Sequence, residues 1–403
     1  MPSRLETKHL NVVLLTLEYP PYIFGGIGTF VQNLAIGLRK EGAKVTVISG
    51  YPVSSPFKEI KEEKDGDIDI IRLPYFGIHG VMNATFQMSN LKTISETIRQ
   101  LNPDLIHGQG LTTFPASIKL KNLAPLVVTF HSCPKVEKAL SIHSILRGGS
   151  LQDFEKDIIG YPAWSYITRK ELSNSNAAVA VSKNLRADII DEMGEGFSEK
   201  IFEIHNGIDI ERLESSYKSV DDDIREENTT ILFAGRLVWK KGVLNLINLA
   251  VLLKKEQLGF KLIVHGDGPL FKVLERKARE LGLTNIELKG FATGIPFMES
   301  MKKSKFVVIP SFHEACPMIL LESMCLGKIP IMFNFPFSKE FTDNGKYGII
   351  ASDIEDMVKK LKVAIAELDL QEYSEDIKEF SIVGFNVKSM ASRYMALYKK
   401  IVE

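Results

Sequence analysis

Short apolar runs alternate with longer amphipathic stretches along the whole 403-residue chain. The run Asn11–Leu17 reads as a strand whose extension stops at Pro20 and Pro21, and a glycine-rich turn follows it. From Thr29 to Gly42 the apolar residues keep helical spacing with Gly42 as the stop, and Lys44–Gly50 is the next strand. That is a βαβ unit. Further strands are expected at Ile68–Pro74, Asp104–Gly110, Pro125–Ser132 and Ala177–Ser182. The polar, acidic run Glu214–Asn228 reads as a linker or surface excursion. A second series then begins, with strands at Thr229–Gly235, Lys261–Gly266, Asn285–Gly290, Lys305–Pro310 and Lys328–Asn334, separated by helices such as Gly242–Glu256. Strands that alternate with helices form parallel sheets. The expected architecture is therefore α/β, with two Rossmann-like doubly wound parallel-sheet domains facing across a cleft. The first spans residues 1–205 and the second 206–385, with the boundary inside 206–228; an amphipathic helix covers about 386–403.

Length and charge narrow the function. A chain of 403 residues exceeds one ordinary core. Its 50 basic and 50 acidic residues cancel, which argues against nucleic acid as the main partner. The three cysteines, Cys133, Cys316 and Cys325, have no metal-ligand spacing, and their scarcity fits a reducing compartment. No apolar run approaches the roughly 18 residues of a spanning helix, and the N-terminal MPSRLETKHL lacks a signal-peptide pattern. The expectation is a cytoplasmic protein.

Candidate chemistry gathers at strand ends, where open α/β sheets bind ligands. After the buried strand closing at Pro310, Ile319, Leu320, Met324 and Leu326 form one helix face, which puts Glu314 beside a helix N-terminus. Backbone N–H groups around Met318 and Ile319 suit a phosphate, and a nearby carboxylate accepts hydrogen bonds from hydroxyls. Glu322 lies eight residues beyond Glu314. Arg236 and Lys241 in FAGRLVWKKG offer two cations to the charge that builds on a leaving diphosphate. Gly266-Asp267-Gly268-Pro269 makes a second strand-end turn, its Asp a turn former. In the first half, Gly25-Gly26-Ile27-Gly28 lets a phosphate or sugar approach bare backbone. It is not a dinucleotide fingerprint, because position 31 is Val and no acid closes the second strand at Gly50. His131 ends the strand VVTF, and His107 ends another but is a weaker candidate. Each feature has a plain structural alternative: a helix-capping acid, a tight turn, a solvated cationic cluster, a hydrogen-bonding histidine.

Taken in order from Gly25 to Glu322, these motifs resemble retaining glycosyltransferases of family 4, which have the GT-B fold; Glu314 and Glu322 match the family's E-x7-E signature. The resemblance implies that Glu314 contacts the donor sugar and Glu322 the nucleotide ribose. It also implies that Arg236 and Lys241 hold the diphosphate, Lys241 being preferred over Lys240 because Gly242 follows it. By the same resemblance His131 contacts the transferred sugar, the Gly25, Gly26 and Gly28 loop meets donor diphosphate and acceptor, the Gly266 loop borders the donor, and the last helix packs on the first domain. The implied activity is hexosyl transfer from a nucleoside diphosphate sugar, such as a UDP-sugar or GDP-sugar, to an acceptor hydroxyl, with no metal or other cofactor; the nucleotide stays open. Two departures bear on the donor. Asn334–Ile350 lacks the usual Gly-Gly pair and carries Phe335, Pro336 and Phe337, which are expected to alter the cleft wall; Cys316-Pro317 replaces Phe-Gly, and Pro removes one N–H. The D-x-D within Asp65–Asp69 reads as a charged turn rather than a metal motif. A sugar-nucleotide epimerase and a non-catalytic sugar-binding protein are the rival readings. Cys133–Ser175, with Lys135, Lys138, Arg147, Phe154, Tyr161, Trp164 and Tyr166, leaves a saccharide, a small molecule or a lipid-linked acceptor open. The lipid option would bring peripheral association with a membrane face, although a solvated helical insert is the commoner source of such composition. Oligomeric state has no signal in the chain.

Overall fold

The computed structural model describes residues 9–53, 59–76, 82–146, 158–221, 223–224 and 226–403; Arg147 and Phe154 lie outside the described residues. The chain forms two compact units, one of Met1–Val136, Ile159–Gly207 and Val387–Glu403, the other of Glu137–Ile158 and Ile208–Asn386. The expected first domain is thus interrupted in sequence. Glu137 falls in the second unit, where its carboxylate accepts two bonds from Lys240 Nζ, at 3.0 and 2.7 Å.

The sheet of the first unit contains, among the described residues, β1 (Asn11–Leu15), β2 (Lys44–Val53), β3 (Lys61–Asp65), β4 (Ile68–Phe76), β5 (Leu105–Gln109), β6 (Leu126–Phe130), β7 (Ala177–Ala180) and β8 (Ile201–Glu203). Their spatial order is β3-β4-β2-β1-β5-β6-β7-β8, parallel throughout except for the β3–β4 hairpin. Apolar runs such as Val12–Leu15 are wholly buried because helices cover both faces of a parallel sheet. β3 was not foreseen. Its sequence KEEKD has no apolar alternation, and it exists as an edge strand only by pairing with β4. The D-x-D falls in that hairpin turn, with Gly66 at φ +60°. Asp65 accepts from Tyr19 Oη at 2.9 Å and Gln32 Nε2 at 2.8 Å, so the acids serve local structure. The final helix, Val387–Val402, packs on helix Gly26–Lys40. At Gly37 a Cβ would lie 2.8 Å from Ala391 Cβ, so the close crossing requires glycine.

The second unit orders β9 (Glu227–Ala234), β10 (Lys261–His265), β11 (Ile286–Gly290), β12 (Ser304–Ile309), β13 (Ile329–Phe333) and β14 (Ile349–Ala351) as β11-β10-β9-β12-β13-β14, all parallel. Winding reverses between β9 and β12, and the crevice at such a switch point is where doubly wound sheets hold ligands. Both FAGRLVWKKG and PSFHEACP leave the sheet there.

The run expected as a linker is more structured than its composition suggested. Ile210–Lys218 is a helix whose N-cap Asp209 accepts from Arg212 N, and Glu227 already begins β9. Between them, Glu226 accepts from Lys305 Nζ at 3.0 Å and Lys328 Nζ at 2.5 Å. These lysines are only 2% and 1% exposed, so one carboxylate compensates two buried ammonium groups. Among the described residues no helix is long and apolar enough to cross a membrane.

Glu226→Gln removes the counter-charge that both ammonium groups have among the described residues. The expected loss is about 2–4 kcal/mol, read as a lower urea midpoint, whereas Glu280→Gln on an exposed helix face should change stability by less than about 0.5 kcal/mol. Equal midpoints for the two variants would show that Glu226 is not the compensating charge.

Candidate active site

At the switch point of the second unit, backbone geometry comes first. Gly242 sits at φ +65°, and a Cβ there would fall 1.8 Å from the Pro310 carbonyl oxygen. Phe312 N donates to Lys240 O at 3.0 Å, joining the segment after β9 to the segment after β12. On this frame Lys241 Nζ donates to both oxygens of Glu314, at 2.6 and 2.8 Å, and Ser311 Oγ donates to Oε1 at 2.6 Å. The Glu314 side chain is 11% exposed. A carboxylate held by three donors keeps its position, with its remaining lone pairs open to hydroxyl groups. Arg236 is exposed just past β9 and, among the described residues, its guanidinium has no hydrogen bond or ion pair. Of the two expected diphosphate cations, Arg236 is therefore the uncommitted one, while Lys241 is shared with Glu314.

Gly266, at φ +144°, allows the end of β10 to press on the end of β9, since its Cβ would lie 1.9 Å from Gly235 O. Asp267 accepts from Gly268 N at 2.7 Å, the turn role expected of it. Trp239 stacks on Phe312 at 4.5 Å, and Phe335 meets Phe312 edge-on at 6.4 Å. Among the described residues Phe335 of the departing loop joins this wall, whereas Phe337 is 2% exposed and belongs to the core.

The helix Met318–Cys325 starts after Pro317, which offers no side-chain cap. Its first amide bonded to Pro317 O is that of Leu320, so Met318 and Ile319 head the helix as donors ahead of the ladder. Glu322 is half-buried on the same helix and, among the described residues, its carboxylate has no partner. Burial pushes its pKa up to about 7.

In the first unit, Gly25 and Gly26 are exposed at the start of helix Gly26–Lys40. The amides of Phe24 and Gly25 already donate to Glu18 Oε2, at 2.9 and 3.0 Å, so an internal carboxylate uses part of the turn's anion-binding capacity. Gly28 is buried, and a Cβ there would fall 2.3 Å from Ile23 Cγ2, which gives this glycine a packing role. His131 is half-buried at the end of β6, with Nε2 3.0 Å from Gln109 Oε1 and its ring edge-on to Phe30 at 4.9 Å. Burial lowers its pKa to about 4. His107 is fully buried, with Nδ1 2.5 Å from Tyr398 Oη and Nε2 2.7 Å from Thr129 Oγ1. Burial and then the charge of His131 lower its pKa to about 3, so it is a structural group.

Sequence reasoning missed Ser311, Gln109 and Glu18. A signal existed for Gln109, since residues i and i+2 of a strand share a face and Gln109 follows His107 by two.

Residues 24–212 match the family Glycosyltransferase Family 4, and residues 218–380 match Glycosyl transferases group 1. An uncharacterized glycosyltransferase of Methanocaldococcus jannaschii is 27% identical over 330 residues, 79% of each chain. Among solved structures, sucrose-phosphate synthase from Thermosynechococcus elongatus superposes with a TM-score of 0.78 at 16% identity, over 97% of this chain and 99% of that one. Anabaena HepE in complex with UDP and glucose does so with a TM-score of 0.69 at 16% identity, over 97% and 100% of the two chains.

The isolated Glu322 carboxyl makes a measurable prediction. Folded, it keeps its proton to about pH 7, whereas the unfolded chain releases it near the model-peptide value of about 4.3. Folding stability therefore falls as pH rises through that window. Glu322→Gln should raise the urea midpoint at pH 8, by roughly 2–3 kcal/mol in stability, and hardly change it at pH 4. The same gain at both pH values would exclude ionisation as its source.

Proposed function

Since this chain belongs to the family 4 glycosyltransferases and has the GT-B fold, we propose that it transfers a sugar from a nucleoside diphosphate sugar to an acceptor hydroxyl, with retention at the anomeric carbon and without a metal ion. The observation that carries this reading is the Lys241–Glu314 pair beside the uncommitted Arg236 at the switch point of the second unit.

In this reading the bond between the anomeric carbon and the β-phosphate oxygen breaks while the acceptor oxygen bonds to that carbon on the same face. The departing phosphate oxygen takes the acceptor's proton, so the protein need not supply a general base. Negative charge grows on the leaving diphosphate, where Arg236 and the amides at Met318 and Ile319 stabilise it. Glu314, fixed by Lys241 and Ser311, accepts hydrogen bonds from donor-sugar hydroxyls. Glu322 accepts from the ribose; paired hydroxyls there favour its ionised form and recover part of its desolvation cost. His131 faces the transferred sugar, and Gly25 and Gly26 serve the donor or acceptor. The uncommitted guanidinium of Arg236, with the helix-head amides, supports a metal-free route because it provides positive charge that a divalent ion would otherwise bring. UDP-glucose is the first donor to test, since the structural neighbour HepE holds UDP and glucose.

Thermal stabilisation against UDP-, GDP- and ADP-linked sugars, without metal, should show a shift with one nucleotide, and NMR of the product should show the donor's anomeric configuration. An inverted product would end the retaining assignment. Arg236→Ala should lower kcat/KM by roughly 10²–10³, and unchanged turnover in Glu314→Ala would remove the site assignment. Activity lost on dialysis against a chelator and restored only by Mn²⁺ or Mg²⁺ would overturn metal independence. Donor consumed without an acceptor product would favour epimerisation.

A further inference from the structure

We infer that Gln109 is a positioning residue for His131, its amide carbonyl holding the imidazole as the tautomer protonated on Nε2 so that Nδ1 is presented to the ligand as a hydrogen-bond acceptor. This deepens the reading of His131 as a sugar-facing group and rests on it. Gln109 is the last residue of β5, and Gln109 and Thr129 are register partners in the β5–β6 pair. It is 3% exposed, so its side chain has little freedom. Its Oε1 stands 3.0 Å from His131 Nε2. A carbonyl oxygen only accepts, so the proton of a neutral ring must sit on Nε2. Burial keeps His131 neutral through the physiological range. Phe30 meets the ring edge-on at 69°, which limits its rotation. Among the described residues Nδ1 has no partner. With its proton placed elsewhere, it can accept from a sugar hydroxyl.

The amide's other end points the same way. Gln109 Nε2 is buried and has no acceptor among the described residues. A buried donor of this kind is satisfied by water or by a ligand oxygen, and this one lies at the ligand-binding end of a parallel strand. The ionisable group coupled to His131 is His107 from β5; from the final helix, the Tyr394 and Tyr398 hydroxyls bond Thr129 and His107. No carboxylate bonds His131 among the described residues. Gln109→Glu would therefore place an anion directly against its Nε2–H.

The test uses the full-length protein labelled with 15N-histidine. In the unsubstituted enzyme, His131 should show a protonated Nε2 and an unprotonated Nδ1 at neutral pH. Gln109→Glu should raise the imidazole titration and move the acid limb of kcat/KM upward by at least about one pH unit. Gln109→Leu, with its thermal midpoint checked, should show mixed tautomers and a loss of about tenfold in kcat/KM. A His131 protonated on Nδ1 in the unsubstituted enzyme would mean that the amide presents its N–H to the ring, and would overturn the proposal without any variant. An unmoved titration in Gln109→Glu would overturn it equally. If the tautomer is as stated but His131→Ala keeps full turnover, the pairing stands and the role of His131 in the reaction falls.

Discussion

A side chain at position 242 has nowhere to go. Its Cβ would lie 1.8 Å from the Pro310 carbonyl oxygen, so the segment leaving β9 can touch the segment leaving β12 only through glycine in the left-handed region. The Phe312–Lys240 backbone bond follows from that contact, and so does the Trp239–Phe312 stack. The Lys241–Glu314 pair then joins residues 73 apart in sequence. Gly266, pressed on Gly235 O, applies the same constraint between β10 and β9. The groups at this switch point are held by backbone contacts that only glycine permits, which fixes where Lys241 and Glu314 stand.

The first unit solves a different problem, that of two histidines two strands' ends apart in role. The sequence placed both His107 and His131 at strand ends, but His107 lies in the middle of β5 and His131 just past β6. Partners decide their roles. The final helix crosses helix Gly26–Lys40 at Gly37 closely enough for Tyr398 to reach His107 Nδ1, while Thr129 takes Nε2, so both ring nitrogens are spent inside the core. His131 spends one nitrogen on Gln109 and keeps the other. A C-terminal segment distant in sequence thus decides which histidine is structural.

Two carboxyls are carried at a cost. Glu171 is fully buried and pushed up to about 8 by desolvation, and a hydrogen bond from Thr113 together with backbone amides at Thr113 and Phe114 offsets part of that cost. Its neighbours account for it as an anchor of the turn after β5. Glu322 has no such partners among the described residues, and a group that is expensive when ionised and unpaired is the kind that a binding site retains for its ligand. The contrast comes from the company each keeps, since the desolvation is similar in kind.

How much of this was legible in advance follows from the range of the forces involved. The two βα series could be read because burial of a sheet face imposes a local period on the apolar residues, and period survives in sequence. The order of glycine turns, cations and acids from Gly25 to Glu322 pointed to the right family for a related reason: such turns depend on backbone freedom at single residues. Where a pattern is polar throughout, nothing local announces it. KEEKD becomes a strand only because β4 offers an edge, and the acidic run before β9 is anchored by Glu226 to lysines that lie far along the chain. The packing role of Gly28, the commitment of Lys241 to Glu314, the burial of Phe337 and the pairing of Gln109 with His131 were likewise decided by tertiary contact. By itself the sequence determined which segments could become strands and helices and which residue types stood at their ends. Which of those residues found partners, and which kept free atoms for a ligand, depended on the neighbours that folding brought within about 3 Å, because hydrogen bonds and ion pairs form across space while periodicity records only whether a position is buried.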